Sequence, residues 1–151
     1  MPSPARKLGV AVNREASFES QFMVSLAVCL NSRVEGKNNL VLDRTPVDSL
    51  AYSHYQKNNI WPEVDDFEFD AMQSICIRSM KNFDRVYYFP VYWKPIADGF
   101  RDTDVKYQQD IGYEILNILE FADLDFVVVP NLNPEERIQW LKEDISANLH
   151  V

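Results

Sequence analysis

An acid followed at once by an arginine, at the end of an apolar run, is a pairing suited to phosphate chemistry. The chain has one at Leu40-Val41-Leu42-Asp43-Arg44-Thr45-Pro46. An Asp in that place holds Mg²⁺, directly or through water, or takes a proton from an attacking oxygen. An Arg beside it clamps a phosphate with two hydrogen bonds. The pair suits equally an acid that caps the next helix and an arginine on the surface. A second charged group is Asp98-Gly99-Phe100-Arg101-Asp102-Thr103-Asp104. A loop of this kind closes over phosphates and excludes water, with Arg101 stabilising the charge that moves. Lys106 stands one turn into the following helix. This stretch also suits a solvated loop whose acids cap that helix. Cys29 and Cys76 lie in helix-like apolar patterns and read as buried thiols of a reducing cytosol. His54 and His150 complete no usual metal-ligand spacing with them.

The elements that would position these residues alternate between helical and strand-like periods, which predicts an α/β fold with a parallel sheet flanked by helices. Phe18, Phe22, Leu26 and Leu30, with Met23 beside them, predict a helix over Ser17–Ser32 with that face inward. Asn39–Asp43 reads as a buried parallel strand ending in an acid. Thr45 suits a cap, Pro46 the first helical position and Asp48 the positive end of the helix dipole, so a helix runs to about Gln56. Glu63–Asn82 is predicted helical, with Phe67, Ala71, Met72 and Ile75 toward the core. Asp84–Phe89 is a strand stopped by Pro90. A loop over Pro90–Thr103 leads to a helix over Asp104–Phe121, with Val105, Ile111, Ile115 and Ile118 on one face. Asp125–Val129 is a third strand. Asn133-Pro134-Glu135-Glu136 opens a last helix with a capping box, its stripe being Ile138, Leu141, Ile145 and Leu149.

The bulk numbers fit one domain. The chain has 151 residues, a hydrophobic fraction of 46% and an aromatic fraction of 13%, enough to bury a core. A formal net charge of −8 speaks against a general nucleic-acid surface, though not against gripping a single nucleotide. No apolar run reaches the ~20 residues of a membrane span, and the N-terminus carries no apolar signal segment, so a cytoplasmic protein is expected.

The order of segments resembles the AAA-type P-loop nucleotide kinases of phage and bacteria, relatives of thymidylate and nicotinamide-riboside kinases. Ala5-Arg6-Lys7-Leu8-Gly9 resembles the segment after that family's second strand. Ser17-Phe18-Glu19-Ser20-Gln21 resembles its Phe-Glu-x-Gln helix, and Leu42-Asp43-Arg44-Thr45-Pro46 through Tyr52 its acid–arginine motif. Asp98–Asp104 resembles its lid, and Asn133–Arg137 its closing helix. The resemblance implies a three-layer P-loop-type sheet and transfer of a phosphoryl group from ATP, with Mg²⁺, to a nucleoside or nucleoside monophosphate. It implies Asp43 as the catalytic or Mg²⁺-linked acid and Arg44 as the acceptor-phosphate ligand. Arg6, Gln21 and Tyr52 would line the acceptor pocket. Asp98, Gly99, Arg101 and Lys106 would form the lid.

One family feature is missing. A P-loop needs Gly-x-x-x-x-Gly-Lys-Ser/Thr after the first strand. The four glycines, Gly9, Gly36, Gly99 and Gly112, do not make it. The first strand of the family is central in its sheet, so its absence predicts a gap between the runs at Leu40 and Val86, with unpaired backbone on both. A longer gene product, a partner chain or second copy completing the sheet, or a rearranged sheet would each answer that gap. A non-catalytic binding or assembly protein on a kinase-like frame is the competing expectation, with Trp61, Tyr92, Trp93 and Trp140 as contact or core aromatics.

Overall fold

The computed structural model describes residues 16–33, 40–93 and 104–149. Five α-helices carry it: α1 (Phe18–Asn31), α2 (Pro46–Asn59), α3 (Asp66–Ser79), α4 (Val105–Phe121) and α5 (Pro134–Asn148). A single 3₁₀ turn, Met80–Asn82, follows α3. Two strands, β1 (Tyr87–Tyr88) and β2 (Val127–Val128), pair in parallel, with Tyr87 opposite Val127 and Tyr88 opposite Val128.

The expected three-layer P-loop-type sheet is not there. Of the described residues 65% are helical and 3% lie in strands. The run Leu40–Leu42 is irregular and pairs with no strand among the described residues. Apolar content alone does not make a strand, because each strand needs a neighbour to take its N–H and C=O groups. Val41, without one, is 85% exposed.

The helices begin where capping chemistry allows. Thr45 Oγ1 accepts from the Val47 amide at 3.2 Å, while Asp48 Oδ2 accepts from the Thr45 amide at 2.7 Å, closing a box at the head of α2. Asn133 and Glu136 close a second at the head of α5, where Pro134 needs no amide partner. Asp65 caps α3 through the Phe67 amide, so this helix starts later than Glu63.

Helix α2 sits at the centre and packs against α1, α3 and α4. Its Val47, Leu50 and Ala51 are buried with Met72 and Cys76 of α3 and Ile111, Ile118 and Leu119 of α4. Two expected faces are turned. On α1 the buried side is Phe18, Gln21, Ser25 and Cys29, and Leu30 is 65% exposed. Polar pairing decides this. Gln21 donates to the Ser49 carbonyl at 3.1 Å, and the Ser25 and Ser49 hydroxyls meet at 2.7 Å. On α3, Phe69, Met72 and Cys76 face inward, while Phe67 is 81% exposed. On α4, Val105 lies toward solvent and Tyr107 takes the buried place. None of the α5 residues is fully buried, and Ile138 is exposed. Cys29 and Cys76 are buried and free, with their sulfurs 4.0 Å apart.

Candidate functional site

A groove of about 990 Å³ lies between the segment after Leu40 and the segment around Val86. Residues 40–45 form one wall and residues 83–89 the other, with Ile115 and Leu119 of α4 and Leu141 and Ile145 of α5 between them. The side chains of β1 show how the helices stand. Successive residues of a strand point to opposite faces. Tyr87 donates its hydroxyl proton to Asp144 of α5 at 2.7 Å, and Tyr88 donates to the Gly112 carbonyl of α4 at 2.9 Å. Helices α5 and α4 therefore cover opposite faces of the ladder. Gly112 lets α4 come this close, since a Cβ there would meet Val91 Cγ2 at 3.2 Å.

Asp43, Arg44 and Tyr52 line the groove together. Asp43 and Arg44 form a bend just before the α2 cap and are both exposed. Arg44 has φ of 73°, a left-handed conformation that a non-glycine residue adopts at a cost of about 1–3 kcal/mol. Its guanidinium lies 5.8 Å from the Tyr52 ring centroid, over the ring. It makes no ion pair among the described residues. The turn thus holds a cation with no acidic partner among the described residues, braced by an aromatic face, at the edge of a large groove.

A further cluster on the groove wall was not foreseen. Arg85 grips Asp144 with two hydrogen bonds, Nε at 3.1 Å and a terminal nitrogen at 2.9 Å. The Arg85 guanidinium, and then the Tyr87 hydroxyl, hold the Asp144 carboxyl below the usual carboxylate range. Burial, then the carboxylate, pushes the Tyr87 phenol up. Arg85 and Asp144 are 59 positions apart, and no local pattern ties a pair at that distance.

The other expected residues fall elsewhere. Gln21 is buried between α1 and α2, where its amide bonds Ser49, and it does not line the groove. Lys106 is exposed in the first turn of α4 and pairs with Asp110 at 2.6 Å. Arg6, Asp98, Gly99 and Arg101 lie outside the described residues.

Mg²⁺ and ATP were implied by the resemblance, and the described residues do not fit ATP. Among the described residues, the α2 N-terminus is the one helix start at the groove mouth. Its first amides are turned to Thr45, and Asp48 places a carboxylate there, so it offers no cradle for a triphosphate. Among the described residues no group of three or more His, Cys, Asp or Glu is placed to hold a metal ion. Asp43 alone leaves a divalent cation dependent on ligand oxygens. What the site is chemically equipped for is one anion at Arg44 and a hydrogen-bonding hydroxyl at Asp43, over a mostly apolar groove.

Among the described residues no helix is long and apolar enough to cross a membrane. Comparison with family models, with curated proteins and with solved structures gives no match for the chain.

Proposed function

We propose that the chain is a nucleotide-kinase-like protein whose groove takes the phosphoryl acceptor, a nucleoside or nucleoside monophosphate. Phosphoryl transfer from ATP then requires a phosphate-binding segment supplied from outside the described residues. The observation that carries this reading is Arg44. A charged residue held at positive φ beside an acid, at the mouth of a groove of about 990 Å³, is strain kept where the proposed ligand is met. Arg44 takes the phosphate in a two-bonded clamp, Tyr52 fixes the plane of its guanidinium, and Asp43 accepts a hydrogen bond from a ligand hydroxyl.

Calorimetry with thymidine monophosphate tests it. The expected result is saturable binding that weakens about tenfold or more in Arg44→Ala, as charge-assisted hydrogen bonds of ~1.5–3 kcal/mol are lost. Equal binding by Arg44→Ala overturns the role of Arg44. A second reading, a non-catalytic assembly protein, is favoured by the exposed Met23, Leu26 and Leu30 along one face of α1. It gains if a panel of nucleoside monophosphates produces no heat at all.

A further inference from the structure

We propose that the groove is a slot for one extended, apolar β-strand from a partner polypeptide, which adds in parallel to the open edge of β1. The proposal rests on the β1 edge and is independent of any phosphate at Arg44.

In the β1–β2 ladder the Val127 amide donates to the Val86 carbonyl and the Val129 amide to the Tyr88 carbonyl, each at 2.9 Å. A parallel ladder alternates, so residues 86 and 88 turn both backbone groups toward β2. Tyr87, between them, turns its N–H and C=O to the other edge. Neither is met by a backbone partner among the described residues. That edge faces the groove. The N–H and C=O on that edge complement the backbone of an incoming strand.

The walls select the same occupant. The groove lies in the plane of the ladder, because α4 and α5 cover its two faces. Ile115 and Leu119 come from one helix, Leu141 and Ile145 from the other. A strand inserted there has apolar cover above and below, as parallel strands require. The ladder spans Val86–Tyr88, and the groove wall continues from Arg85 to Phe89, a stretch of roughly 17 Å when extended. The partner segment is therefore about five residues, rich in Val and Ile, and free of Pro. An isolated two-stranded parallel pair is short of the usual minimum for a sheet, and a third strand supplies it.

The probe is a soluble nonapeptide with a central Val-Ile-Val-Ile-Val block flanked by lysines, titrated against the whole chain. Amide hydrogen exchange reads the site. Binding should slow exchange at the Tyr87 amide while leaving the Tyr88 amide, already in the ladder, unchanged. Alternate N-methylation along one peptide edge removes its donors and keeps its apolar surface. That peptide should bind about tenfold or more weakly. Equal binding of the N-methylated peptide, or no slowing at Tyr87, overturns the proposal. So does a Tyr87 amide already protected in peptide-free protein that sediments as a dimer, since a second copy would then fill the slot.

Discussion

At Arg44 the proposed phosphate grip and backbone stability pull in opposite directions. Its left-handed backbone is free of steric cost only for glycine. Arg44→Gly should therefore be more stable than Arg44→Ala by about 1 kcal/mol, measured by urea unfolding, although neither keeps the guanidinium. Equal stabilities would mean that the turn carries no strain. Asp144 gives a test by pH. Its carboxyl ionises at lower pH when folded, because Arg85 and Tyr87 hold the charged form. The stability this adds is complete above the ordinary carboxylate range, about pH 4, and is lost as pH falls through the folded value. Melting followed from pH 6 down to pH 2 should show a steeper acid loss for the wild type than for Asp144→Asn. Parallel curves would remove the cluster from the account.

At the scale of elements, α2 is the centre, and truncations should grade with burial. Leu50 and Leu119 are almost wholly enclosed, so Leu50→Ala and Leu119→Ala should each cost about 2–5 kcal/mol. Phe67→Ala, on the outer face of α3, should stay within about 0.5 kcal/mol. Thr45→Ala opens the capping box of α2 and should cost about 1 kcal/mol, read by thermal melting. All five helices were legible in the sequence, because their starts are written in short-range chemistry, Thr45-Pro46 and Asn133-Pro134 above all. Which face each helix buries was less legible. On α1 the apolar stripe at Leu26 and Leu30 lost to the buried contacts of Gln21 and Ser25 with Ser49, a partner 28 positions from Gln21. The strand at Leu40–Leu42 failed for the same reason. Pairing is non-local, and a run of apolar residues does not state what lies beside it. Of the candidate site, only the co-location of some residues was legible. Asp43, Arg44 and Tyr52 meet at one groove, whereas Gln21 went to a helix interface and the Arg85–Asp144 pair left no trace in spacing.

The described residues form a helical body around a two-stranded ladder, with a wide groove beside it. That groove lies between residues 40–45 and 83–89. Its mouth carries Arg44 and its inner walls are largely apolar, an arrangement that separates the proposed anion grip from a packing surface. The most direct measurement of the central claim is a nitrogen-15 spectrum of the arginine Nε–H groups and backbone amides during titration with thymidine monophosphate and, separately, with thymidine. A saturable shift at the Arg44 side chain and at the amides of residues 43–45, given by the monophosphate and absent with the nucleoside, is the expected result. No response at Arg44, or the same response to thymidine, would contradict a phosphate grip at this turn.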